Sequence, residues 1–153
     1  MIRLAAAAAA LLLTAAVPAL AQAQAQSPSQ APAPAADGSI VVLTFETGAT
    51  TGSVMVALFS SEAAYTGGAP VAQAAVPASG AVVARFENLP AGDYAMRAFH
   101  DVNGNGRMDT NPFGMPVEPY AFSNNAVGNM GPAGWDRAHF AVAGETAQTI
   151  RIR

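Results

Sequence analysis

The chain contains no cysteine and no lysine. Without cysteine there is no disulfide framework, no thiolate metal centre and no lipid-modified N-terminal Cys. Every basic residue is an arginine, and after Arg3 they stand singly at Arg85, Arg97, Arg107, Arg137, Arg151 and Arg153. No basic stripe exists to displace counterions from phosphates, which excludes nucleic acid as a partner class. Histidine is limited to two residues, His100 and His139, too few and too far apart for a zinc site. Only one stretch of the chain is apolar over many residues, so no later segment is expected to insert into a membrane.

That stretch is the first one. Met1-Ile2-Arg3-Leu4, six alanines, Leu11-Leu12-Leu13 and the residues through Val17 place one positive charge before a short apolar run. Ala19-Leu20-Ala21 then offers a small-x-small cleavage site. The layout is that of a secretory leader over 1–21, and Pro18 with the glutamines that follow ends it too early for a membrane-spanning helix. The expectation is an exported protein, periplasmic or extracellular. Loss of Arg3 leaves the remainder one unit more negative than the −3 of the whole chain. Residues 22–37, QAQAQSPSQAPAPAAD, have no periodic apolar face and read as a disordered linker.

From Ser39 the apolar residues alternate, which is the signature of half-buried strands. Candidate strands are Ile40 to Phe45, Ser53 to Phe59, Val71 to Val76, Ala81 to Glu87, Tyr94 to His100, His139 to Val142 and Gln148 to Arg153. The alternation places Val56, Leu58, Val82, Phe86, Tyr94, Met96, Phe140 and Ile150 in one core, with Arg85 and Arg97 on the opposite faces. About seven short strands in residues 38–153 predict an all-β fold: a single two-sheet sandwich, prealbumin-like or Ig-like. Ser61 to Tyr65 has room for one helical turn. One long inserted loop, 101–137, carries no clear strand, and a loop of that length in a compact domain is usually functional or disordered.

Within it, Asp101-Val102-Asn103-Gly104-Asn105-Gly106-Arg107-Met108-Asp109 follows the first nine positions of an EF-hand-type calcium loop. Asp101, Asn103 and Asn105 put oxygens on alternate residues, Gly106 takes the sharp turn, the Arg107 carbonyl serves position seven, and Asp109 serves position nine. The bidentate glutamate of position twelve is replaced by Pro112, leaving Glu118 or Asn111 to close the shell. Flanking strands in place of helices exclude a true EF-hand. Two Asn-Gly steps equally suit a plain polar hairpin turn, which needs no metal. On the calcium reading the empty turn holds uncompensated negative charge, so losing Asp101 would cost little without metal.

Asn88-Leu89-Pro90-Ala91-Gly92-Asp93-Tyr94, His100 through Gly106 with Asp109, Gly114 through Tyr120, and Phe122-Ser123-Asn124-Asn125 together resemble a bacterial family of exported proteins, domain-of-unknown-function family 2141. The resemblance covers about Ile40 to Arg153. It implies a small exported β-sandwich of the prealbumin-like sort and carries no established activity with it.

The residues themselves point away from catalysis. Ser123, His100 and Asp101 or Asp136 can be written as a triad, but Ser123 lacks a nucleophile elbow and no oxyanion donors are evident. Two non-catalytic readings follow: a structural or protein-interaction module with a calcium-binding or calcium-stabilised loop, and a carrier for a small ligand such as a sugar or peptide. The second would use Tyr120, Phe122, Asn124, Asn125 and Trp135, with Asn129 nearby. The alternative for those aromatics is a small core that anchors the loop over Phe99.

Overall fold

The computed structural model describes residues 38–153; the expected leader and linker lie outside them. Eight strands form two sheets. Strands β1 (Ser39–Glu46), β2 (Ser53–Phe59), β3 (Ala72–Pro77), β4 (Val82–Leu89), β5 (Gly92–Asp101), β6 (Tyr120–Phe122), β7 (Phe140–Val142) and β8 (Glu145–Arg151) follow in that order. Two short helices interrupt them, α1 (Glu62–Gly67) and α2 (Trp135–Ala138). One sheet runs β4-β1-β8, with β1 antiparallel to β4 and parallel to β8. The other runs β3-β2-β5-β6, and β7 pairs with the first residues of β5.

The strand boundaries follow the alternation. Val41, Leu43 and Phe45 of β1 point between the sheets, where they meet Val54, Val56 and Leu58 of β2 and Tyr94, Met96 and Ala98 of β5. All eight residues expected in the core are buried there, none more than 8 % exposed. Arg85 faces out and pairs with Glu87 at 2.6 Å. At about 25 cal/mol per Å² of apolar surface removed from water, this shared interior is the main source of stability for a chain without disulfides.

A second, smaller cluster sits on the opposite face of the five-stranded sheet. Phe59 and Ala95, side chains of the outward rows, are covered by Tyr65 of α1 and by Phe122, Ala133 and Ala138. Ser61 caps α1 by accepting from the Ala64 amide at 3.2 Å. Tyr65 reaches across to donate its hydroxyl to the Ala133 carbonyl at 2.8 Å.

Residues 101–137 are more structured than the sequence suggests. They contain β6, a tight turn over Ser123–Asn125 and the start of α2. Strand β6 has three residues and pairs with Arg97 to Phe99 of β5, far away in sequence. Among the described residues no helix is long and apolar enough to cross a membrane.

Candidate functional site

The residues expected to ligate calcium do meet in one turn. Asp101 ends β5 with its carboxylate buried, and three successive backbone amides converge on it. Oδ1 accepts from Gly104 at 2.8 Å and Asn105 at 3.1 Å, and Oδ2 accepts from Gly106 at 2.7 Å. Asn103 Oδ1 accepts from the Asn105 amide, and Asn105 Oδ1 from the Arg107 amide, so each side chain folds the next step of the turn. Gly106 takes φ 78°, which a residue with a Cβ rarely adopts. The carboxamide nitrogens of Asn103 and Asn105 both donate to the Asp109 carboxylate, at 2.6 and 3.0 Å.

Glu118 fastens this turn at both ends. One carboxylate oxygen accepts from Val102 and the other from Asp109, each at 3.1 Å. Asn111, the other candidate for closing the shell, instead builds its own turn, accepting from the Phe113 and Met115 amides. The negative charge of Asp101 is therefore compensated by peptide dipoles, which corrects the expectation of an uncompensated empty turn. Gly52 packs against the same point: a Cβ there would sit 2.0 Å from the Asp101 carbonyl oxygen. His100, buried beside it, donates from Nε2 to the Thr51 carbonyl at 2.7 Å.

A metal ion would meet a polar, oxygen-rich turn of the right residue types. The carboxamide faces turned toward Asp109 are nitrogen, however, and among the described residues no three His, Cys, Asp or Glu side chains gather around one point. A cation would have to displace amide–carboxylate bonds that already close the turn.

The aromatic and amide residues of the segment do not form one surface. Asn124 and Asn125, both at positive φ, bind the edge of β8: Asn124 exchanges bonds with Gln148, and Asn125 spans the Thr149 carbonyl and the Arg151 amide. Trp135 packs edge-on against Tyr65, with ring centroids 5.8 Å apart, and stacks on His139. Ser123 is buried, accepting from the Met96 amide and donating to the Ala138 carbonyl, with no bond to His100. Tyr120 and Phe122 go elsewhere.

They form part of the floor of a cavity of about 890 Å³ on the outer face of the five-stranded sheet. The strand register lays this floor in two rows. Gln73, Ala57, Arg97 and Phe122 face each other across β3, β2, β5 and β6; alongside run Ala75, Met55, Phe99 and Tyr120. The long segment supplies the walls through Gly106, Met108, Met115 and Met130, with Pro116 and Pro132. Gly106 and Met108 belong to the turn that Asp101 organises, so the polar turn fixes one side of the cavity.

Arg97 is the only charged residue of the lining. Its guanidinium lies over the rings of Tyr65 and Phe59, 4.2 and 5.6 Å from their centroids. Its Nε is buried without a hydrogen-bond partner, and none of the ion pairs among the described residues includes it. Burial pushes the Tyr65 hydroxyl above the ordinary tyrosine pKa, and Arg97, first as a hydrogen-bond donor and then through its charge, pulls partly against that rise.

A family described as an uncharacterized protein conserved in bacteria, DUF2141, matches residues 45–151. The chain belongs to that family. The matched range takes in the five-stranded sheet, the Asp101–Asp109 turn and every wall of the cavity, and in the other sheet β4, β8 and the last two residues of β1. No curated protein and no solved structure matches the chain.

Proposed function

We propose that this DUF2141 domain is a non-catalytic, exported binding module whose ligand occupies the groove over the five-stranded sheet. One observation carries the reading: the sheet turns apolar side chains outward in two rows, and the long segment walls this face instead of burying it. An antiparallel sheet with one solvated face normally alternates apolar in and polar out. Here Met55, Ala57, Phe99 and Tyr120 break that rule together. The volume falls within the range of small-molecule sites, roughly 300–1,000 Å³. Met115 and Met130 remain exposed at its border, and methionine suits surfaces that adapt to an apolar guest.

The test is saturable binding of a neutral apolar dye. Binding should reach one dye per chain and be lost in Ala57→Trp, which fills the middle of the floor. Ala75→Trp, at an exposed floor position, serves if the first variant does not fold.

A second reading concerns the rim. We infer that calcium stabilises the Asp101–Asp109 turn, with Asp101, Asn103, Asn105, the Arg107 carbonyl and Asp109 as its ligands. The turn's alternating oxygen-bearing side chains support this. Affinity belongs at the weak end of calcium loops, on the order of 10⁻⁴–10⁻³ M, since the amide–carboxylate bonds compete with the ion. A thermal melt with calcium against excess chelator tests it.

A further inference from the structure

We propose that the ligand of the groove is a small amphiphile with an anionic, carboxylate-type head and an apolar tail, its head held by Arg97. This deepens the binding-module reading and rests on it. A guanidinium that is partly buried on an apolar sheet normally has a carboxylate beside it, because desolvating an unpaired charge is expensive. Arg97 has its aromatic neighbours and an unpartnered Nε, but no ion pair among the described residues. The missing acid is the group that the ligand would bring. Arginine is suited to it, since the planar fork of donors fits a carboxylate through two parallel hydrogen bonds.

The floor divides the same way. The row holding Arg97 also holds Gln73, whose backbone stands two strand spacings away, roughly 9–10 Å, with only Ala57 between them. From Gln73 to Arg97 that row offers a polar group on either side of a small residue, and beyond Arg97 it ends on the apolar Phe122. The adjacent row of Ala75, Met55, Phe99 and Tyr120 carries no charge, and neither do the methionine and proline walls. A molecule with a charged end and an apolar body matches both rows at once. A neutral apolar molecule would leave Arg97 half-buried and without an ion pair, and a cationic one would be repelled.

A free ligand fits better than a bilayer. The site is concave, and an anionic membrane surface would require a basic rim. The chain is net negative, with its arginines scattered.

The experiment compares dodecanoate, dodecanol and dodecyltrimethylammonium, each below its aggregation concentration, by calorimetry on the purified full chain. Dodecanoate should bind about ten- to a hundredfold more tightly than dodecanol, the range of a charge-assisted hydrogen bond. The ammonium compound should be weakest. Arg97→Gln should erase the preference for dodecanoate, and Arg97→Lys should restore part of it. The comparison of head groups on the unaltered protein needs no variant to fold. Equal affinity for dodecanoate and dodecanol would overturn the anionic head while leaving the groove as a binding site. Binding of none of the three, with the neutral dye also excluded, would remove the groove reading as well. Capture only by phosphatidylglycerol vesicles, with no binding of free dodecanoate, would replace the free ligand with a membrane surface.

Discussion

Strand β5 shows two environments on one backbone. Its inward residues Tyr94, Met96 and Ala98 are packed between the sheets, each at most 5 % exposed. Its outward residues begin the same way, with Ala95 buried under α1 and α2, and then change: Arg97 and Phe99 open onto the groove. The inner face is closed by many mutual apolar contacts and contributes stability. The outer face is closed at one end only, and what remains open is apolar surface with a single charge in it. A domain that needed this face only for stability would lower the segment onto it. Instead the segment is held off by its own hydrogen bonds, at Asp101, Glu118 and the Asn111 turn.

The sharpest test of that contrast is truncation inside the core. Phe86→Ala, on the inner face and nearly fully buried, should cost about 3–5 kcal/mol by chemical denaturation. On the calcium proposal the ion acts on the outer side only. If it binds the turn with a Kd near ~10⁻⁴ M, then ~10 mM should stabilise the folded state by roughly 2.7 kcal/mol, and magnesium by much less. A melt indifferent to calcium would leave the turn as a self-satisfied polar hairpin. Asp101→Ala removes the acceptor of three amides, so it should cost about 2 kcal/mol even in chelator, near the upper end for a lost cap. A neutral outcome there would mean the turn is dispensable to the wall it carries. Tyr120→Ala, 40 % exposed on the groove floor, should cost only about 1 kcal/mol while weakening dye binding severalfold. Arg85→Ala, on the solvated face of β4, should leave the melt unchanged.

Much of the sandwich was legible from alternation, because period-two patterning is local: each of the seven expected strands overlaps an observed one. Strand β6 was not legible. Three residues after Pro119 carry too short a pattern, and their partner in β5 is identified only by tertiary pairing. The Asp101 turn was readable as residue types at fixed spacing, although its acceptors proved to be occupied by amides rather than left uncompensated. Asn124 and Asn125 looked like groups offered to a ligand; their role at the edge of β8 depends on a strand over twenty residues away. The groove belongs to no single stretch of sequence, since four strands and two parts of the segment build it. One local signal did exist. Outward positions Met55, Ala57 and Phe59 on β2, like Phe99 on β5, are apolar where a solvated face would be polar.

The most direct measurement is dye binding and melting temperature determined together on the unaltered protein and Ala57→Trp. If the outer face is a ligand site and not a second core, the variant should lose the dye and keep its melting temperature within a few degrees. Unchanged dye binding in a folded Ala57→Trp protein would contradict the account, because the groove would then not be where the dye resides.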